Sequence, residues 1–387
     1  MPHSCGGQPR LKLLIAADVW ADVSSPRVPL RDIRTYGGLE NHFELTWTFT
    51  ASTANAGDQP IPNGAHLVFV PSVRSKWHFF ALFPRYVRIL ADAMRTTDVV
   101  LVPSPMLTTL PALVAARLAR RPSVLLMLAP KSAHEFFRRR LNRRLASSVL
   151  NLEVLLSTET LLLNKRLARG ILPVLWKRLD ILTFSSIGKE DFLPVLEPSP
   201  GVRVELLCVA RLVSHKRVDV AIETVWRLRR DGVDAALRVV GDGVDRASLE
   251  RLTEELGLSD VVDFVGWVDD PVKLRKCYRR AFALLLPSEI EAFPMVVLEA
   301  MASGTPVVRT AAMGELDVLE PEVDVLIVPT SSAEPFASAV SRLHTDRQLY
   351  MRIARAGQNK ALSLTRQAWH ESFCERAQRL VMERVDH

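Results

Sequence analysis

The chain has 387 residues, enough for two domains of ordinary size, and with 48% apolar and 24% charged residues it has the balance of a globular protein with buried cores. Four scattered cysteines, Cys5, Cys208, Cys277 and Cys374, form no C-x-x-C pair, which excludes a disulfide or zinc framework. No uncharged apolar run reaches the roughly 18 residues of a membrane span. A reducing cytoplasm is the expected compartment, and the short apolar run Leu13–Ala17, with no cleavage site after it, does not read as a signal peptide.

The net charge of +7 is uneven: the first half is strongly basic, whereas residues 191–387 are net acidic. Such asymmetry points to an anionic partner, either acidic lipid headgroups or a phosphorylated substrate. Nucleic acid is set aside, because no recognition motif accompanies the basic residues.

In chain order, Leu11–Ala17, Thr96–Pro103 and Pro122–Leu128 predict strands, with helical stretches such as Ala112–Arg120 between them. Strands separated by helix-length segments imply βαβ units and a parallel sheet. Leu145–Leu163 reads as one amphipathic helix, interrupted by Asn151, Glu153 and Glu159. Pro194–Gly201 is rich in proline and reads as a linker. Beyond it the pattern is regular. Strands are expected at Val204–Val209, Ala235–Val240, Val261–Val265, Ala281–Pro287, Pro306–Arg309 and Val323–Val328. Helices are expected at Val218–Arg230, Arg246–Leu256, Pro271–Arg279, Phe293–Ala302, Ala333–Leu343, Arg347–Ala361 and Arg366–Glu383. The strands are near-continuous apolar runs, as in a sheet covered on both faces. The expected plan is a first domain over residues 1–193, a linker over 194–203, a second domain over 204–362 and a last helix, 363–387, returning to the first domain. Two doubly wound domains of this kind place a ligand cleft at the carboxyl ends of their strands.

The chemistry concentrates in PSEIEAFPMVVLEAMASGTPVV, residues 287–308. A strand ends at Pro287, a loop carries Glu291, and a helix begins near Phe293. The N–H groups of a first helical turn lack partners and, with the helix dipole, suit a diphosphate. Glu291 and Glu299 are eight positions apart, about 12 Å along a helix. That span matches a donor sugar, a diphosphate and a ribose in line. Glu291 suits sugar hydroxyls, and Glu299 suits both ribose hydroxyls, since an ionised carboxylate has two acceptor oxygens. A carboxylate flanked by Val296, Val297, Leu298, Ala300 and Met301 needs a partner. In VARLVSHK, residues 209–216, another strand end carries Arg211 and Lys216. A guanidinium fork and an ammonium point charge fit phosphate oxygens and the charge growing on a leaving diphosphate.

These stretches carry a resemblance. ARLVSHKRVDVAIE, RVVGDGVDRASLERLTEELGL, VDFVGWV and the PSEIEAFPMVVLEAM segment resemble, in order and spacing over residues 204–345, the family-four retaining glycosyltransferases. In the first half Arg34–Glu40 resembles that family's glycine-rich loop, and Leu175–Ser186 its last N-domain strand. The resemblance implies the α/β GT-B fold, two Rossmann-like domains facing across a cleft. It implies a metal-independent, retaining hexosyltransferase that needs no cofactor beyond its nucleotide diphosphate sugar, a UDP- or GDP-sugar. The expected acceptor is a glycan or a lipid-linked or polyprenyl-diphosphate glycan of cell-surface polysaccharide synthesis. A soluble natural-product acceptor, or an epimerase or hydrolase on the same fold, are the alternatives. The expected location is the cytoplasm, with peripheral attachment to the inner membrane face.

Carried over by motif, Glu291, Arg211 and Lys216 are the catalytic set. Gly38, Trp267, Val268, Phe293, Met295, Val296 and Glu299 join them in holding the donor. The chain has no D-x-D pair and no metal site is expected. It departs from the family pattern at Arg217 and Ala292, where glycine is common, at Ala210, and at Pro294, which lacks an N–H. Ala129-Pro130-Lys131 lacks the family's histidine, with His134 nearby, and Met313-Gly314 offers one glycine instead of two, with Glu315 or Asp317 for the acid there. Gly241-Asp242-Gly243 reads as a tight turn. Phe136–Leu145 and Arg74–Arg88 combine basic and apolar residues, fitting either an anionic membrane surface or packed helices with a solvated basic face.

Overall fold

The computed structural model describes residues 10–22, 27–28, 36–52, 59–60, 64–73, 76–104, 106, 108–128, 140–163, 165–168, 170–182, 185–199, 201–289, 291, 295–311 and 318–385. The chain forms two compact units. The first runs to Ser186 and takes back the chain from Arg366; the second is Ile187–Thr365.

The first unit is built on seven strands: β1 (Leu11–Asp22), β2 (Phe43–Ser52), β3 (His66–Val70), β4 (Val99–Ser104), β5 (Ser123–Met127), β6 (Glu159–Leu162) and β7 (Leu179–Ile181). All are parallel, in the order β3-β2-β1-β4-β5-β6-β7. Helices α1 (Lys76–Met94), α2 (Thr109–Leu118) and α3 (Arg140–Leu156) make the crossovers. The last helix of the chain belongs to this unit. Its Trp369, Phe373, Ala377 and Leu380 share one core with Leu13, Phe43 and Trp47. Arg376 ties it to the sheet through Asp180 at 2.6 Å and Glu159 at 2.5 Å.

Several elements differ from the sequence expectation. The strands β2 and β3 were not foreseen. In β2 the apolar Phe43, Leu45, Trp47 and Phe49 alternate with polar residues, yet Thr48 and Thr50 on the other face are buried as well. The expected helix Leu145–Leu163 ends at Leu156 and is followed by β6. Ser157 and Thr158 end it. The Ser157 hydroxyl lies 2.9 Å from both Val154 O and Thr160 Oγ1, and the Thr158 N–H donates to Ser123 O of β5 at 2.8 Å. Such side chains offer the backbone an alternative to the helix. Within Leu175–Ser186 the strand is short, β7 alone, because a 3₁₀ turn occupies Pro173–Arg178.

The second unit holds β8 (Val204–Val209), β9 (Ala235–Val240), β10 (Val262–Gly266), β11 (Ala283–Leu286), β12 (Val307–Thr310) and β13 (Leu326–Val328). Its helices are α4 (Val218–Arg230), α5 (Arg246–Glu255), α6 (Pro271–Arg280), α7 (Met295–Ala302), α8 (Ala333–Thr345) and α9 (Arg347–Leu362), and the chain closes with α10 (Arg366–Val385) in the first unit. The strands are parallel, in the order β10-β9-β8-β11-β12-β13. In β8, Leu206 and Cys208 enter the core on one face and Leu207 the core on the other. In α4, Val218, Ala221, Ile222, Val225 and Leu228 recur at helical spacing and are all buried. At α6 the Asp270 carboxylate caps the Val272 N–H at 2.8 Å and Pro271 fills the first position.

Residues 193–197 are seated on this second unit. The Leu193 N–H donates to Ala302 O at 3.1 Å, and the Gln358 amide donates to Leu193 O at 2.6 Å. Gly304, at φ 75°, lets Val195 Cα come within 3.0 Å of where a Cβ would stand. Glu197 pairs with Arg347.

In this sheet the strand order reverses between β8 and β11. Parallel strands put all their carboxyl-end loops on one edge, and a doubly wound sheet opens its crevice at the reversal.

Candidate active site

Two loops flank the reversal. After β8 the chain passes through Arg211 into a 3₁₀ turn, Ser214–Lys216, and then enters α4. After β11 it passes Glu289 and Glu291 and enters α7. The loops meet. The Glu289 N–H donates to His215 O at 2.9 Å, and the Lys216 ammonium is bonded to Glu291 Oε1. These two side chains are only 12% and 14% exposed, so the charges neutralise each other in a largely dry place. Ser288, fully buried, donates to the same Glu291 oxygen at 3.3 Å, and Thr310 in turn donates to Ser288 O at 2.6 Å. Lys216 and Glu291, predicted from separate motifs, are thus brought together. Arg211 stands exposed in the same loop as Lys216.

His215 titrates below its ordinary value, first through burial and then through the positive charges of Lys216 and Arg211. Its ring is therefore neutral near pH 7. Beneath the loop, burial pushes the Cys208 thiol up to about 12, which removes it as a nucleophile.

Glu299 lies on α7, whose Val297, Leu298, Ala300, Met301 and Ala302 are buried. The partner its apolar surroundings demand is Tyr278 of α6, whose hydroxyl donates to Glu299 Oε2 at 2.8 Å. Tyr278 is itself held by Thr305, which donates to its carbonyl at 2.7 Å. Met295 and Val296 form the first turn of α7 and are half-buried. Trp267 and Val268 follow β10, on the far side of β9 from the reversal. Trp267 is 63% exposed and its indole N–H donates to Asp269.

Sequence reasoning missed Ser288, which lies inside the motif at residues 287–308, and Tyr278, which lies outside all of the motifs. It also read Gly241-Asp242-Gly243 only as a turn. A Cβ on Gly241 would fall 1.9 Å from Ala210 O, and one on Gly243 2.3 Å from Leu212 O. The Leu212 N–H donates to Asp242 O at 2.9 Å. Both glycines thus let the loop after β9 press on the backbone that carries Arg211. Close backbone approach was the available signal.

Gly38 belongs to the first unit. Its φ of 104° starts a 3₁₀ turn, its N–H donates to Glu40 Oε2 at 2.7 Å, and a Cβ there would come within 3.3 Å of His370 on α10. Phe293, Ala292, Pro294, Lys131, His134 and Met313–Asp317 lie outside the described residues, as do the side chains of Phe136–Leu145. Among the described residues no group of three or more His, Cys, Asp or Glu could hold a metal ion.

Residues 197–360 match the family model described as glycosyl transferases group 1. The second unit belongs to that family. Among curated proteins, an exopolysaccharide phosphotransferase of Streptomyces coelicolor is 35% identical over 171 residues, 43% of this chain and 18% of that protein. The lipopolysaccharide core biosynthesis glycosyltransferase LpsE of Rhizobium meliloti is 33% identical over 159 residues, 41% of this chain and 45% of that protein. The chain thus spans less than half the length of these curated relatives. Among solved structures, Anabaena HepE in complex with UDP and glucose superposes with a TM-score of 0.70, at 15% identity, covering 95% of this chain and 100% of that one. The chain has the GT-B fold, with two Rossmann-like parallel-sheet units.

The glycines make the site testable. Gly241→Ala adds a clash with Ala210 O at a φ of 136° that side chains rarely adopt. It is expected to destabilise the second unit by about 1–3 kcal/mol and to displace Arg211. Thermal unfolding with an unchanged midpoint would contradict the close approach.

Proposed function

We propose that the chain is a retaining glycosyltransferase that moves a hexose-type sugar from a UDP- or GDP-sugar to a glycan or lipid-linked acceptor in cell-surface polysaccharide synthesis. The observation that carries this reading is the Lys216–Glu291 pair at the strand reversal of a glycosyl transferases group 1 domain. The names of the relatives, from exopolysaccharide and lipopolysaccharide synthesis, support the acceptor class.

In this reading the diphosphate lies over the loop after β8. As the bond from the anomeric carbon to the phosphate oxygen breaks, Arg211 and Lys216 meet the charge that develops on the departing diphosphate. The backbone N–H groups of the first turn of α7, at Met295 and Val296, add to that stabilisation. Glu291 accepts from sugar hydroxyls. Glu299, oriented by Tyr278, accepts from the ribose. Trp267 and Val268 border the base. Retention at the anomeric carbon, without a metal, follows from the family resemblance.

Nucleotide binding tests the reading. One of UDP, GDP, ADP and dTDP, with its sugar, is expected to raise the melting temperature. A concentration about 100-fold above Kd adds roughly 2.7 kcal/mol of stability. Glu299→Ala should abolish the rise. No response from any of them would overturn the donor site. Sugar transfer that requires an added acceptor separates a transferase from an epimerase or hydrolase, which turns over the donor alone.

The lipid-linked acceptor has a second support. No helix among the described residues is long and apolar enough to cross a membrane. However, α1 carries an exposed stripe: Trp77 is 83% and Phe80 61% exposed, and Pro84, Arg85 and Arg88 are exposed on the following turns. Aromatic rings with basic residues behind them suit an anionic lipid surface, where each cation contributes roughly 1 kcal/mol. The chain would then work in the cytoplasm, resting on the inner membrane face. Sedimentation with anionic liposomes is expected at low salt, to weaken at high salt and to weaken in Trp77→Ala with Phe80→Ala. Absence of binding at low salt would remove the membrane part of the reading.

A further inference from the structure

Arg217 stands beside Lys216 at a backbone position that suits glycine. Its backbone is left-handed, with φ 51° and ψ 45°, a conformation that disfavours a side chain. The turn itself does not need arginine, because its hydrogen bonds are made by backbone: the Arg217 N–H donates to Ser214 O at 3.1 Å, and the Val220 N–H donates to Arg217 O at 3.1 Å. The side chain, in contrast, is fully engaged. Nε and Nη2 hold the Asp219 carboxylate of the first turn of α4, with contacts of 2.9 to 3.2 Å. Nη1 reaches across the strand reversal to Glu289 Oε1 at 2.9 Å. Glu289 is also the residue whose N–H donates to His215 O. One guanidinium therefore braces the start of α4 and the loop after β11, immediately beside Lys216 on one side and two residues from Glu291 on the other.

We propose that Arg217 is a positioning residue that latches the loop of Lys216 to the loop of Glu291 through Glu289, so that the two charged groups are held at a fixed separation for the donor. A planar fork with donors on two edges binds Asp219 bidentately and Glu289 at once, a geometry that the single ammonium point of a lysine does not reproduce. The proposal rests on the donor-site reading above.

The test uses the full chain and three variants that break the link, Arg217→Gly, Glu289→Gln and the double substitution, with Arg217→Lys as a fourth, conservative variant. Glycine accepts the left-handed backbone and removes only the latch. The melting temperature of Arg217→Gly should not fall, whereas Kd for the nucleoside diphosphate that binds the parent protein, and KM for its sugar, should rise about tenfold. Glu289→Gln should show a rise of the same kind, and the double variant should be no worse than Arg217→Gly, because both break one link. Arg217→Lys should recover only part of the affinity. Hydrogen exchange at the Glu289 amide reads the latch without any ligand, and it should quicken in all three variants. Unchanged exchange together with parental Kd in Arg217→Gly overturns the proposal, and so do additive losses in the double variant. If no nucleotide binds the parent protein, the donor reading fails, and quickened or unchanged exchange still decides whether the latch exists.

Discussion

The second unit turns on a single electrostatic constraint: Lys216 and Glu291 sit side by side in a place with little water. Removing one member of such a pair strands the other and costs about 3–5 kcal/mol. The pair exists because β8 and β11 are hydrogen-bonded neighbours whose carboxyl ends open on the same edge. Lys216 therefore has to face a negative partner, and Glu291 a set of donors. A sugar diphosphate offers both at once, phosphate oxygens to the ammonium and hydroxyls to the carboxylate. Donor binding would replace one balanced pairing with two.

The surrounding residues limit how far these groups can wander. Ser288 and Thr310 fix the Glu291 loop from below, and Tyr278 with Thr305 fixes Glu299. Gly241 and Gly243 are bare so that the loop after β9 can lie against the backbone around Arg211. The helices that do this work also seat the chain arriving from the first unit. Leu193 is bonded to the end of α7 and to Gln358 of α9, and Arg279 of α6 donates to Pro194 O. Residues that look like a connection thus share a foundation with the site.

The second unit was legible in the sequence because its inner strands β11 and β12 are buried on both faces and its helices are cleanly periodic. Ala283–Leu286 is apolar and buried throughout, and Val218–Leu228 has one period, so local pattern and tertiary position agree. The first unit was harder to read. Phe43, Leu45, Trp47 and Phe49 alternate with polar residues at the period of a strand, a signal that sequence reasoning missed, while the burial of Thr48 and Thr50 on the other face is not marked by their type. Leu145–Leu163 hid a helix, a turn and a strand in one apolar stretch, separable only through hydroxyls that bond locally at Ser157. Within the site, the motifs named Arg211, Lys216, Glu291 and Glu299. Tyr278 and Glu289 act across the fold, at separations that spacing in the sequence does not encode, whereas Ser288 sits three residues before Glu291 in the same motif. Arg217 stood out as a departure from glycine, but its two carboxylate partners became visible only in three dimensions.

A crystal structure of the chain with the nucleoside diphosphate that stabilises it tests the central claim most directly. The account predicts phosphate oxygens within hydrogen-bonding distance of Lys216 and Arg211 at the ends of β8 and β11, with the ribose hydroxyls on Glu299. Phosphates bound elsewhere, with Lys216 and Glu291 still joined to each other, would contradict it.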